Sequence, residues 1–199
     1  GSFSSAFVPV LSELREKGDE TQVQDFLNHI AGALLAVVLV VTACGIALSP
    51  WLARLFLLMA GRDSELVGLT ADMMRITFPY LAFISMTALA GAVMNSFRHF
   101  GLPAFIPVLH NLAIIFAMLV LAQYFKVPAF ALAWGVFLAG LLQFCVMWPA
   151  LRRFGLKPHF KLDFKHPGVQ RVFKLMLPTV FSSSVAQLNL LVGTVFASA

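Results

Sequence analysis

The chain has 199 residues, 60% hydrophobic and 12% charged, with a formal net charge of +5. A soluble domain of this size carries about 25% charged residues, so the composition excludes an ordinary soluble globule. Nor does the basic excess point to nucleic acid, because the cations sit at the edges of apolar runs, as in a membrane protein.

The chain opens GSFSSAFVPVLSE, with no initiator Met and no signal-peptide pattern. Residues 1–12 read as the last turns of a helix. The polar stretch LSELREKGDETQVQDF (11–26) reads as a surface connection. Lys, Arg, Asp and Glu are then missing from five windows: 26–53 (28 residues), 76–97 (22), 99–125 (27), 127–151 (25) and 175–199 (25). At about 1.5 Å per residue, roughly 20 apolar residues cross the hydrocarbon. Every window is long enough. The sequence therefore predicts spans over roughly 26–49, 73–96, 103–125 and 128–150, and a fifth from Leu175 onward.

Pro50-Trp51 is expected to close the first span, with Trp51 as an interfacial anchor. Residues 54–71 form a short connection. Pro79 is expected to kink or locally unwind the second span. NSFRHFG (95–101) is a tight turn in which Gly101 relaxes the backbone. Pro103 sits near a helix start, where its missing N–H costs little, and Pro107 a turn further in. The basic loop 151–174 alternates cations with Phe154, Phe160, Phe164 and Phe173, and HPGVQRVFKLMLP reads as a short interfacial helix. The chain stops in LLVGTVFASA, inside an apolar run, so both ends read as cuts within a larger membrane protein. Cys44 and Cys145 lie in apolar windows and read as small packing residues without metal-ligand spacing.

The distribution of Lys and Arg sets the orientation. Loops 11–25, 97–102 and 151–174 lie on one side and carry ten: Arg15, Lys17, Arg98, Arg152, Arg153, Lys157, Lys161, Lys165, Arg171 and Lys174. The other side carries four, namely Arg54, Arg62, Arg75 and Lys126. The first side is expected in the cytoplasm.

Functional side chains are few. No carboxylate lies mid-span, which argues against a proton relay within these residues. No Ser/His/Asp or metal-ligand set is available, so no catalytic residue, metal or cofactor is expected and the chain does not read as an enzyme. Asp72 and Arg75, three apart, share a helix face as an ion pair or an outer gate contact. His110 and Asn111 lie two turns into the third span, and His29 near an inner end. Ser183, Gln187 and Thr194 fall on one face of the last span, with Asn189 beside it and Ser182 adjacent. Such groups either bond neighbouring helices or line a hydrated cavity. Asn95 belongs to a small-residue face with Ser85, Ala88 and Ala92. Gly32 and Ala36, and Ala131, Gly135 and Ala139, are spaced for close helix packing.

SFSSAFVPVLSE, ITFPYL, NSFRHFGLPAFIPVLHN, ALAWGV and the basic loop before LMLPTVFSSSVAQLNL together resemble the MurJ/MviN lipid II flippase family, within the multidrug/oligosaccharidyl-lipid/polysaccharide exporter superfamily. The resemblance runs the length of the chain. It implies an all-α, 14-helix transporter of two lobes, of which this chain covers the end of helix 2 through most of helix 7. Residues 1–174 would belong to the N-terminal lobe, and 175–199 would begin the C-terminal lobe. The implied activity flips the undecaprenyl-pyrophosphate-linked peptidoglycan precursor, lipid II, across the bacterial inner membrane. Its partners would be lipid II and membrane lipids, with a monomeric full-length protein.

The family's essential cavity arginines fall outside these residues. The resemblance therefore leaves cavity or path candidates in Ser183, Gln187, Asn189, Thr194, Asn95 and Asn111, and gate candidates in Asp72 and Arg75. Arg98, Arg152 and Arg153 are the cytoplasmic basic candidates, and Pro79, Pro103 and Pro107 the hinge candidates. A drug or cation antiporter or polysaccharide-unit flippase of the same superfamily is the alternative. A non-transporting scaffold or enzyme anchor is a third reading from another class.

Overall fold

The computed structural model describes residues 2–61, 64–153, 156 and 159–197, without the side chains of Ser2, Ser64 and 191–197. Arg62, Phe154, Lys157 and the Thr194 side chain, all used above, lie outside the described residues. The helices are α1 (Ser2–Glu16), α2 (Glu20–Met59), α3 (Val67–Thr77), α4 (Pro79–Ser96), α5 (Gly101–Phe116), α6 (Ala129–Arg153) and α7 (Pro167–Ala197). No strand occurs among the described residues. Among the described residues, four segments are long and apolar enough to cross a membrane: Glu20–Met59, Val67–Ser96, Gly101–Tyr124 and Ala129–Arg153. These correspond to the first four expected spans, and the chain is an all-α, multi-pass membrane protein.

Several boundaries differ from expectation. The connection proposed over 11–26 shrinks to Lys17-Gly18-Asp19. Gly18 closes α1 with φ 73°, and the Asp19 carboxylate caps α2 by accepting the Thr21 and Gln22 N–H groups at 3.0 and 3.2 Å. Pro50 does not close the first span: α2 continues through it to Met59, and Trp51 stands exposed within the helix. A proline at 50 withdraws the N–H that the Ile46 carbonyl would accept. The Ser49 hydroxyl, on a fully buried residue, donates to that same carbonyl at 2.9 Å. At 40 residues, α2 is about 60 Å long, twice the ~30 Å hydrocarbon thickness.

The hydrogen-bond ladder breaks at Phe78, between α3 and α4, where Pro79 opens the new helix. Glycine is not the relaxed residue in the NSFRHFG turn. Gly101 opens α5, while Arg98 takes the left-handed conformation with φ 63°. The Arg98 N–H donates to the Asn95 carbonyl at 3.0 Å and the His99 N–H to the Met94 carbonyl at 2.8 Å. This is a Schellman cap with arginine where glycine is usual. After α5 the helix widens into a π turn over Ala117–Leu121 and then tightens into a 3-10 turn over Ala122–Tyr124. The short interfacial helix expected before the last span is instead the start of α7, which runs unbroken through Pro178. Cys44 and Cys145, expected to pack, are exposed on their helices.

The chain divides into two contact units. The first comprises residues 1–33 and 158–199. Its core stacks Phe3, Phe7 and Phe26, with successive ring centroids 5.4 and 5.6 Å apart, and adds Leu11, Ile30, Val169 and Val172. Gly168 lies so close over Phe26 that a Cβ would sit 2.5 Å from that ring. The second unit comprises 34–157. There α6 packs against α3, α4 and α5 through buried Ala131, Gly135, Ala139, Met86 and Met147. A Cβ at Gly135 would approach that of Ala117 to 2.5 Å, which is how small residues bring membrane helices together. Gln143, fully buried on α6, donates to the Ile106 carbonyl of α5 at 3.1 Å, beside Pro107.

Candidate functional site

The α7 candidates lie in the first unit. Every residue from Phe181 to Leu190 is exposed. Ser183 and Gln187, one helical turn apart, therefore present polar groups on an open face, with Asn189 to the side. Ser184 returns its hydroxyl to the Val180 carbonyl at 2.8 Å, and Thr179 to Met176 at 2.7 Å. These two hydroxyls are satisfied within their own helix.

The remaining candidates lie in the second unit. Asp72 and Arg75 meet at 2.9 Å as an exposed ion pair one turn apart on α3. Such a pair contributes about 0–1 kcal/mol, so it fixes the local arrangement more than the stability. Asn95, Arg98, Asn111, Arg152 and Arg153 are all exposed. His110 turns its ring toward Tyr80, with centroids 5.8 Å apart, and its Nδ1 is buried without a hydrogen bond. Pro103 falls in the first turn of α5 and Pro107 within it.

Sequence reading missed a polar cluster in the first unit. Residues 159–166 form a strap along α2. The buried Asn28 holds it twice: its side-chain oxygen accepts the His159 N–H at 2.7 Å and its carbonyl accepts the Lys161 N–H at 3.1 Å. Gly32, expected at a helix–helix contact, serves this strap instead, since a Cβ there would overlap the Lys161 carbonyl. The strap delivers His166 to Asp25, with Nε2 3.1 Å from the carboxylate, and stacks it on His29 at a centroid distance of 4.5 Å. Asp25, His29 and His166 offer ligand atoms within 4.8 Å of one another. The D-x-x-x-H spacing of 25 and 29 is visible in the sequence, but their third member is 141 positions beyond Asp25.

A second tie joins α1 to α7, where Arg171 and Glu13 meet at 2.6 Å. The Arg171 hydrogen bond, then that of Lys17, holds the Glu13 carboxyl below the ordinary carboxylate range.

The model of the family described as Lipid II flippase MurJ matches residues 1–199. The chain belongs to the lipid II flippase MurJ family. It is 40% identical over 204 residues to the lipid II flippase MurJ of Burkholderia cenocepacia, covering 100% of this chain and 39% of that protein. It is 40% identical over 205 residues to the probable lipid II flippase MurJ of Haemophilus influenzae, covering 100% of this chain and 40% of that protein. The Vibrio cholerae counterpart is 37% identical over 205 residues, with 100% of this chain and 39% of its own length covered. The chain thus spans about two fifths of these MurJ relatives. MurJ membership and the apolar helices agree on a multi-pass membrane protein of a transporter family.

Proposed function

We propose that the chain is part of a lipid II flippase that moves the undecaprenyl-pyrophosphate-linked peptidoglycan precursor across the bacterial inner membrane by alternating access. The whole-chain match to the flippase family carries this reading. A pyrophosphate does not cross hydrocarbon unaided, because an ion there loses its hydration. It needs a wet, cationic path, while the lipid tail stays in the bilayer. On this reading Ser183, Gln187, Asn189 and Thr194 line the path on α7, and Asn95 and Asn111 contribute from α4 and α5. Asp72 and Arg75 form an outer gate contact. Arg98, Arg152 and Arg153 face the cytoplasm, as do segments 11–25, 97–102 and 151–174. Pro79, Pro103 and Pro107 are bending points as lobes rock. We place the lobe boundary at 174/175, take the full-length protein as a monomer and assign it no enzymatic step.

The test uses the full-length gene in a bacterium depleted of its own flippase. Wild type should restore growth and outer-leaflet lipid II. Ser183→Leu with Gln187→Leu should lower flipping by about tenfold, equivalent to about 1.4 kcal/mol on the barrier, at unchanged membrane abundance. Failure of the wild-type gene to restore lipid II at the outer leaflet would remove the proposal. Full activity of the double variant would remove the α7 path from it.

A further inference from the structure

We infer that Asp25, His29 and His166 form a proton-responsive clamp that holds the first turn of α7 to α2. The hydrogen-bond partners fix the two imidazole tautomers. Gly168 donates its backbone N–H to His166 Nδ1 at 3.2 Å, so that nitrogen carries a lone pair. Its Nε2 then bears the ring proton and donates to Asp25 Oδ2 at 3.1 Å. On His29, Nδ1 lies 2.8 Å from the Asp25 backbone carbonyl. A carbonyl only accepts, so Nδ1 is protonated and Nε2 holds the lone pair. His166 therefore does two tasks with one ring: it caps α7 through Nδ1 and ties the cap to α2 through Nε2.

This arrangement fits a proton better than a divalent ion. Both nitrogens nearest the carboxylate already donate hydrogen bonds. The rings are stacked within 17° of parallel, so their in-plane lone pairs run side by side instead of converging on one point, as a tetrahedral metal requires.

A proton has two places to go. A proton at His29 Nε2 breaks no hydrogen bond of the clamp. A second, at His166 Nδ1, displaces the Gly168 N–H. It also sets two cations 4.5 Å apart by ring centroid against one carboxylate. The surrounding anions are already engaged: the Asp163 carboxylate of the strap accepts the Lys165 N–H at 2.8 Å. Lys161 of the strap already lies 3.8 Å from Asp25 Oδ1. Glu13 of α1 is engaged by Arg171 of α7 and Lys17, and Asp19 of α2 caps its own helix. Glu13, Lys17, Asp19, Asp25, His166 and Arg171 line a cavity of about 510 Å³, through which solvent protons reach the cluster. A second proton therefore opens the α7 cap, while the Glu13–Arg171 pair persists, because Arg171 holds the Glu13 carboxyl below the ordinary carboxylate range.

The test is hydrogen exchange of the full-length protein in lipid nanodiscs at pH 7.5 and 5.5, corrected for intrinsic exchange. Amides 168–172 should lose protection by about tenfold at the lower pH, within the roughly hundredfold that one extra proton allows over two pH units. His166→Asn keeps a capping acceptor that does not titrate, and should show equal protection at both values. Wild-type protection that is independent of pH, or an Asn variant that responds like wild type, would overturn the clamp. So would zinc chloride that raises protection of 25–29 and 166–170 in wild type but not in the variant, since the cluster would then be a metal site.

Discussion

Gly32 and Arg98 show how one backbone position constrains its surroundings. Gly32 is buried where the strap crosses α2, and any side chain there meets the Lys161 carbonyl. Gly32→Ala in the full-length protein should lower stability by about 1–3 kcal/mol, as other overpacking changes do, and thermal unfolding would read it. Arg98 presents the opposite case. Its left-handed backbone costs a non-glycine residue about 1–2 kcal/mol. Arg98→Gly should therefore raise the unfolding temperature, even though it deletes a cation. If it lowers that temperature, the Arg98 side chain holds the turn by contacts that outweigh the backbone term. Composition reveals neither effect, because both depend on a local φ or on a neighbour distant in sequence.

Among the elements, α2 is the one that sequence reading most underestimated. Charge-free windows locate membrane spans well, since burying one ionised side chain in hydrocarbon outweighs any local preference. The ends of spans were less legible. Pro50 is a sound stop signal when its freed carbonyl has no partner, but here the Ser49 hydroxyl supplies one. A double-mutant cycle isolates that term. Ser49→Ala alone should cost about 1–3 kcal/mol by leaving a partly buried carbonyl unpaired. In a Pro50→Ala background the same change should cost much less, because alanine at that position restores the backbone N–H. Equal costs in both backgrounds would show that Ser49 acts by packing alone. The start of α7 was legible in HPGVQRVFKLMLP, but its continuity was not: the helix runs on through Pro178, where a break before the last span is expected. Helical spacing gathers Ser183 and Gln187 on one side of α7, but every residue from Phe181 to Leu190 is exposed, so burial does not distinguish that side. The cluster of Asp25, His29 and His166 was not legible, because it depends on a 141-residue separation that no periodicity encodes.

For the whole molecule, the arrangement of Lys and Arg across the loops predicts a labelling pattern. Cys44 and Cys145 are exposed and must first be replaced by Ala. In that background Gln22→Cys and Lys165→Cys should react only with reagent admitted to the cytoplasm, and Lys126→Cys with reagent added outside whole cells. Labelling of Lys165→Cys from outside would reverse the orientation. The strap has a further consequence for how such a chain is made. Asn28 is complete only when His159 arrives, 131 positions later. At about 5–20 residues per second, that interval lasts roughly 7–26 s of translation. During it the Gln24 amide, 2.9 Å from the Asn28 side-chain oxygen, is a local group able to satisfy this polar site while the intervening spans leave the ribosome. The N-terminal end of α2 is thus synthesised well before the strap that completes its hydrogen bonds.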